Sequence, residues 1–290
     1  MKRTRRLNGK GTRFGLFSLR FTAYTVLIIL ALMSVFPFYL LLVNASRAHP
    51  DILKGFSSLP GNWLGRNFQS MLNDPVTPIL SGIRNSLIVS SGVALVSCYF
   101  SALTAYAIHA FDFRFKNAIF VFILGIMVIP TQVSASGFVQ LVRQFGMNDS
   151  FLPLILPSIA TPACFFFMKQ YMEGALPLEI VEAARIDGSS EFRTFNYVVL
   201  PVMKPAMAVQ AIITFVASWN NYFVPALILE SDKMKTVPIV IAQLRSADFL
   251  KFDMGSLYMT IATAVVPIIL VYFILSKYIV QGVAMGSVKG

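Results

Sequence analysis

The sequence predicts an all-α integral membrane protein with six transmembrane helices. Of its 290 residues, 56% are hydrophobic and 13% are charged, and the mean hydropathy is +0.70. Soluble proteins contain about 25% charged residues, so most of this chain cannot face water. The apolar residues are grouped in charge-free blocks that are long enough to cross a bilayer. Because backbone polar groups in lipid must be satisfied within their own segment, each block is expected to form a helix.

The first apolar block follows a basic segment. Residues 1–20 contain seven Lys or Arg and no acidic residue, and we expect them to form a cytoplasmic tail. Residues 21–43 carry no charge. As a helix they would extend about 35 Å at about 1.5 Å per residue, which exceeds a bilayer core of about 30 Å. They predict a first transmembrane helix and not a signal peptide, which would have a shorter apolar core and a small-residue cleavage site.

Five further charge-free blocks predict the helices of a core domain over residues 85–290. These blocks are Asn85–Phe111, Asn117–Val142, Ser150–Met168, Pro205–Leu229 and Met254–Ser276. Residues 44–84 are rich in Gly, Pro, Asn and Ser, and we expect an ordered extracytoplasmic loop with short amphipathic pieces. Prolines inside the blocks should bend the helices, and Pro153, Pro157 and Pro162 should make the fourth helix the most irregular.

The distribution of Lys and Arg predicts the orientation of the helices. Alternating from a cytoplasmic N-terminus, the inside segments carry 15 Lys or Arg and the outside loops carry 9. This bias has the sign of the positive-inside rule and places both termini and residues 173–204 in the cytoplasm. It also accounts for the formal net charge of +11 without a nucleic-acid partner.

A polar island at residues 177–205 separates two apolar blocks. A proline and acidic residues at its start favour a helix, because they suit a first turn and complement the helix dipole. Asp187-Gly188 should end that helix, since glycine adopts the left-handed conformation without a Cβ penalty. We expect a second short helix to follow and to end at Leu200-Pro201, before the next membrane helix begins.

The polar island contains a motif with a specific spacing. Its residues are Glu182, Ala183, Ala184, Asp187, Gly188, Leu200 and Pro201. They resemble the cytoplasmic E-A-A…G…L-P loop of bacterial ABC importer permeases. The segment SWNNYFVPALIL at 218–229 and the C-terminal VKG are similar to the carbohydrate-uptake branch, the maltose-type G subunit in particular, and the resemblance covers essentially the whole chain.

This resemblance implies a multi-pass permease of a bacterial inner membrane, with the type I ABC importer fold. Such a subunit carries a sugar or oligosaccharide by alternating access. The implied partners are a second homologous permease subunit, two cytoplasmic ATPase subunits and an extracytoplasmic solute-binding protein. ATP and Mg²⁺ would be bound by the ATPase subunits, and no cofactor is expected in this chain, which has no phosphate-binding loop.

In that family the motif forms a coupling helix that docks into a cleft on an ATPase subunit. Ala183 and Ala184 would then need to be small so that the helix fits. Glu182 would meet a cationic partner, and Gly188 would permit the turn.

Polar residues inside the predicted helices are candidates for the substrate path, because polar groups in a membrane usually face a partner or a cavity. The strongest group is Trp219, Asn220, Asn221 and Tyr222, which combines aromatic surface with amides, as binding of a sugar requires. Gln132, beside a proline, is the next candidate, and the remaining ones are Asn85, Ser86, Ser134, Ser136 and Gln210. Hydrogen bonding between helices and an interfacial aromatic anchor is the alternative for these residues.

The sequence predicts no catalytic or metal site, and therefore no enzyme. His49 and His109 lie outside any metal-ligand spacing, and we interpret Cys98 and Cys164 as small core residues without a disulfide. An ABC permease for a polyol, glycerol-phosphate or charged oligosaccharide is the alternative function. A secondary transporter is a weaker alternative, because it would usually carry a charged residue within a span, and the six blocks have none.

Overall fold

The structure is a computed structural model that describes residues 9–74, 78–246 and 253–286. Residues 1–8 of the predicted tail and the C-terminal VKG lie outside the described residues. Over the described ranges the chain is helical, without strands, which confirms the predicted fold class. The helices are α1 (Gly9–Ala45), α2 (His49–Leu53), α3 (Leu64–Leu72), α4 (Ile79–Ala110), α5 (Lys116–Ile126), α6 (Thr131–Gln144), α7 (Leu152–Ile155), α8 (Pro162–Ala175), α9 (Leu178–Ile186), α10 (Glu191–Thr194), α11 (Leu200–Trp219), α12 (Phe223–Ile228), α13 (Val237–Ser246) and α14 (Met254–Gly286).

Five helical segments of the described chain are long and apolar enough to cross a membrane. They are Leu19–Ala45, Ile79–Ala110, Leu152–Ala175, Glu191–Trp219 and Met254–Ser276. Helices α5 and α6 make a sixth span if the pair is counted as one, although they are bent by 96°. The bend lies at Pro130, whose backbone is extended (ψ 132°). Proline has no N–H to continue a helix and its ring clashes with the preceding turn, so the third predicted helix is broken in two.

The fourth span is the irregular one that its prolines predict. Helix α7 is followed by a 3-10 turn, Leu156–Ala160, and then by extended backbone at Thr161 (φ −97°, ψ 98°), before α8 begins. Each of its three prolines stands in the first turn of one helical piece. A missing N–H costs nothing at that position, so the segment is divided into short pieces that each tolerate a proline.

The fifth span begins earlier than predicted. Our expectation that Leu200-Pro201 ends the polar segment is wrong, because α10, a π turn (Phe195–Val199) and α11 form one continuous segment. In the π turn the Leu200 N–H donates to the Phe195 carbonyl, five residues earlier. This wider turn gives the ring of Pro201 space that a regular helix would deny it. The helix ends at Trp219, so the predicted block 205–229 also ends too late.

The described chain divides into two compact units, residues up to Gln69 with Asp253–Ala262, and Ser70–Phe252 with the residues from Thr263 onward. In the second unit, α4, α8 and α11 pack around a buried apolar core. Small residues on α4 allow close packing of the neighbouring helices. Cys98 and Cys164 are buried in this core and are free thiols, which confirms their interpretation.

Two polar residues on α4 hold the segment that leads into α13. The Asn85 side-chain amide donates to the carbonyls of Lys233 (2.8 Å) and Lys235 (2.9 Å). The hydroxyl of Ser86 accepts a bond from the Val237 N–H (2.9 Å). Both side chains are buried, so these polar groups stabilise a turn of the backbone.

We predict that Asn85→Leu lowers the unfolding temperature of the purified protein in detergent. The change keeps the number and branching of the side-chain heavy atoms but leaves two carbonyls without this donor, and each lost partner costs about 1–3 kcal/mol. The matched control is Asn220→Leu, at an exposed asparagine. Equal unfolding temperatures for the two variants would contradict the anchoring role of Asn85.

Candidate coupling surface and membrane cavity

Helix α9 is short because its C-terminal end is fixed by the backbone. Gly188 has a φ of +78°, in the left-handed region. The Ser189 N–H donates to the Ala184 carbonyl, and the Gly188 N–H donates to the Arg185 carbonyl, both at 3.0 Å. This pair of bonds around a left-handed residue is a common helix ending, and glycine adopts it without strain. The predicted stop after α9 is confirmed.

An apolar and a polar contact hold α9 against the membrane helices. Val181 is fully buried and packs in the same core as Phe195. The Arg185 Nε donates to Glu191 Oε1, and the Tyr106 hydroxyl donates to Glu191 Oε2, each at 2.7 Å. The Glu191 carboxylate therefore connects α9 with α4.

The end of α4 surrounds these groups. The Arg185 guanidinium carbon lies 5.0 Å from the ring centre of Phe111. The hydrogen bond between Arg185 and Glu191 raises the pKa of Arg185, so the guanidinium stays charged. His109 Nε2 lies 3.0 Å from the carbonyl oxygen of Leu176, just after α8. Aromatic and polar residues at this end of α4 thus fix the start of the polar island.

The opposite side of α9 is open. Glu182 and Ala183 are exposed, and Ile186 is 87% exposed. Ala184 is half-buried, on the same side as Val181, so only one of the two motif alanines faces outward. Glu182 forms no ion pair with another described residue.

Helix α10, which contacts α9, enlarges this open surface with Phe192, which is 69% exposed. We call Glu179, Glu182, Ala183, Ile186 and Phe192 the α9 surface. Exposed apolar side chains close together mark an interaction site in a folded protein. The other motif residues have different positions: Asp187 is the exposed end of α9, whereas Leu200 and Pro201 belong to the membrane helix beyond the π turn.

The second unit also contains a cavity of about 620 Å³. Apolar side chains form most of its wall, and its polar lining consists of neutral hydroxyls and one amide: Ser86, Ser90, Thr131, Ser134, Thr161, Thr214, Ser218, Thr236 and Asn221. The hydroxyls of Ser90 and Thr236 are buried and have no hydrogen-bond partner among the described residues. None of the described lining residues carries a charge. This chemistry suits a neutral solute with hydroxyl groups.

The structure separates the residues predicted for the substrate path. Asn221 lines the cavity, whereas Asn220, Tyr222 and Gln132 are exposed and are not among its lining residues. Trp219 is 2% exposed and stacks on a phenylalanine ring, with centroids 5.6 Å apart, so its aromatic face is used in packing.

Sequence analysis named two of the hydroxyl residues that line the cavity, Ser86 and Ser134, and missed the other six. Ser86 and Ser90 are four residues apart on α4, and Thr214 and Ser218 are four apart on α11. Residues at this spacing share one helix face, so hydroxyl pairs inside an apolar block were the signal that could have found them.

Comparison with known proteins places the chain in a transport family. The sequence profile described as "Binding-protein-dependent transport system inner membrane component" matches residues 97–285. The chain belongs to this family of membrane permease components, and the resemblance to ABC importer permeases is confirmed.

Individual relatives extend over nearly the whole chain. The arabinooligosaccharides transport system permease AraQ of Bacillus subtilis is 30% identical, over 96% of this chain and 98% of that protein. The lactose transport system permease LacG of Rhizobium radiobacter is 28% identical, over 92% and 95%. The sn-glycerol-3-phosphate transport system permease UgpE of Yersinia pestis is also 28% identical, over 89% and 94%.

A solved structure supports the fold. A chain in the crystal structure of a bacterial ABC transporter involved in the import of the acidic polysaccharide alginate superposes with a TM-score of 0.77 at 19% identity. The match covers 95% of this chain and 99% of that chain. The present protein therefore has the fold of an ABC transporter permease.

We predict that Gly188→Val loosens α9 and that Gly188→Asn does not. A β-branched residue is strained at positive φ, by roughly 1–2 kcal/mol, whereas asparagine tolerates it. Amide hydrogen exchange in residues 178–189 of the purified protein should therefore be about 5- to 30-fold faster in the valine variant, as that free energy implies. Equal exchange in the two variants would show that the turn does not hold α9.

Proposed function

We propose that this chain is the permease subunit of an importer that carries a neutral sugar or oligosaccharide across a bacterial inner membrane. Both termini lie in the cytoplasm, and transport follows alternating access. ATP and Mg²⁺ are bound by two separate ATPase subunits, which supply the energy. The observation that carries the proposal is α9, a short helix with an exposed apolar and acidic face that is attached to the membrane core.

The attachment of α9 suggests how energy enters the membrane helices. The α9 surface binds the ATPase subunit, with Glu182 next to a cation of that subunit and Ala183 in its cleft. Closure of the ATPase subunits displaces α9. Val181 and the bonds of Glu191 transfer this displacement to α4 and to the segment that continues into α11. The cavity between these helices then opens to one side of the membrane and closes to the other.

The remaining partners follow from the family. A second, homologous permease subunit completes the pathway, and an extracytoplasmic solute-binding protein delivers the solute. The description of the family includes binding-protein-dependent transport, which supports the last partner.

Two observations support a sugar as the transported solute. The relatives include permeases named for arabinooligosaccharides, lactose, and trehalose/maltose. The cavity offers hydroxyls and one amide, without a charge among its described lining residues. The UgpE relative raises glycerol-phosphate as an alternative, but a phosphate is usually bound by Arg or Lys. The neutral lining favours the sugar.

We predict that Ala183→Trp abolishes coupling, whereas Ala183→Ser retains it. The residue is exposed, so neither change should affect folding. The large ring cannot enter an ATPase cleft that accepts a small side chain. In reconstituted vesicles, transport and binding-protein-stimulated ATP hydrolysis should fall about tenfold or more with tryptophan, equivalent to a loss of about 1.4 kcal/mol in docking. Normal transport by the tryptophan variant at normal membrane levels would exclude α9 as the docking helix.

We further predict that Asn221→Leu weakens transport of the cognate sugar and that Asn220→Leu does not. The two residues are adjacent and exposed, but only Asn221 lines the cavity. Loss of one hydrogen bond to the sugar costs about 0.5–1.5 kcal/mol, a decrease of about two- to tenfold in transport at low sugar concentration. The same effect of both variants would show that this cavity is not on the path.

A further inference from the structure

The segment that connects α2 with α3 folds back along α1. The ring centroid of Phe56 lies 6.4 Å from that of Phe36, near the middle of the second half of α1. The Tyr39 hydroxyl donates a hydrogen bond to the Ser58 carbonyl. Residues 56–60 therefore form a hairpin beside α1, and we call them the 56–60 hairpin.

The contacts of this hairpin define its depth along α1. Phe36 lies nine residues before Ala45, the last residue of α1, and Tyr39 lies six residues before Ala45. At about 1.5 Å per residue these positions lie about 14 Å and about 9 Å below the end of the helix.

The start of α14 lies next to the segment that follows α1. The Met254 N–H, at the first residue of α14, donates to His49 Nδ1 at 3.0 Å. Two apolar spans, Leu19–Ala45 and Met254–Ser276, thus begin or end at the same level. The contacts with Phe36 and Tyr39 place the tip of the 56–60 hairpin beside the apolar part of α1.

Only part of the backbone of the hairpin has hydrogen-bond partners within the protein. At the entry of the hairpin, the Gly55 carbonyl accepts a hydrogen bond from the Arg47 guanidinium at 3.1 Å. Arg47 is only 9% exposed. The Ser58 carbonyl accepts the Tyr39 bond. The Leu59 N–H donates to the Ser57 hydroxyl at 3.1 Å, and Pro60 has no N–H. The N–H groups of residues 56–58 have no hydrogen-bond partner among the described residues. Unpaired N–H groups are not tolerated in the hydrocarbon core, so this backbone belongs at the level of the lipid headgroups, where water reaches it.

The exit of the hairpin is well fixed. The Gly61 N–H donates to the Ser46 hydroxyl at 2.9 Å, and the Trp63 N–H donates to the Ser46 carbonyl at 2.9 Å. A Cβ at Gly61 would lie 2.6 Å from that carbonyl oxygen, so only glycine allows this return.

The side chains at the tip are apolar and uncovered. Phe56 and Leu59 are each 73% exposed, and Pro60 is also exposed. The charged residue closest to the hairpin in the sequence, Lys54, precedes the turn and forms an ion pair with Asp51 at 2.7 Å. An apolar surface of this kind is expensive in water, whereas lipid tails satisfy it.

We propose that the 56–60 hairpin lies at the headgroup level of the bilayer and that the side chains of Phe56 and Leu59 reach from there to the acyl chains of one leaflet. The occupant is lipid, because the exposed side chains are apolar and lie beside the apolar span of α1. The hairpin fixes the end of α1 in the membrane. This inference requires only that α1 spans the bilayer, so it can fail without affecting the proposed sugar import, and the reverse also holds.

The test is a spin label at Leu59→Cys in a Cys98→Ala, Cys164→Ala background. The complete transporter is reconstituted in liposomes of phosphatidylethanolamine and phosphatidylglycerol. Electron paramagnetic resonance then measures collision with oxygen, which concentrates in lipid, and with a water-soluble nickel chelate. The lipid control is Leu32→Cys, in the middle of α1 and 66% exposed, and the water control is Lys54→Cys, whose side chain is 74% exposed.

The proposal predicts that the label at position 59 collides more with oxygen, and several-fold less with nickel, than the label at position 54 does, with the label at position 32 as the upper limit for oxygen. Nickel collisions equal to those at position 54 would place the hairpin in water and overturn the proposal. Shielding from both reagents would show that a protein covers the hairpin, which also overturns it. If Leu59→Cys does not accumulate in the membrane, Phe56→Cys provides the same three outcomes.

Discussion

The contact between α9 and the membrane core is the interaction on which the proposed mechanism depends. The contact has an apolar part and a polar part, which contribute different amounts of stabilisation. Burial of a valine side chain stabilises by roughly 1.5–3 kcal/mol, and Val181 is fully buried. The Arg185–Glu191 pair is partly exposed, and such ion pairs contribute only about 0.2–1 kcal/mol. The apolar contact therefore provides most of the attachment, whereas the carboxylate, with its second bond from Tyr106, fixes the direction in which α9 points.

The prolines explain much of the local architecture and also limit what the sequence can predict. The charge-free blocks predicted the existence and order of the spans, though not all of their boundaries, because the need to satisfy backbone groups in lipid acts within each segment. The effect of a proline depends on its neighbours in space. Pro130 breaks a helix by 96°, whereas Pro201 follows a π turn and interrupts nothing. The sequence shows the same residue type at both places, so the boundary at Pro201 was predicted wrongly.

In the candidate site, as in the fold, the sequence predicted local features and missed those that depend on tertiary packing. The turn at Gly188 is a local property and was predicted from the dipeptide. The outward direction of Ala183, and not Ala184, depends on burial of Val181 in the core, which the motif does not reveal. The sequence likewise does not reveal that Trp219 is buried, because its burial depends on packing with other residues. The 56–60 hairpin depends on a bond between Tyr39 and Ser58, 19 residues apart, and no local pattern predicts that contact.

The most direct test of the central claim is a distance measurement between α9 and the membrane helices during the transport cycle. Spin labels at Ile180→Cys, which lies on α9 outside the α9 surface, and at Tyr197→Cys in the π turn, both exposed positions, report whether the two elements move together. Double electron–electron resonance on the reconstituted transporter should give one narrow distance that is the same without nucleotide and with ATP trapped in the ATPase subunits. A distance that changes or broadens with ATP would show that α9 moves independently, which would contradict transfer of motion through Val181 and Glu191.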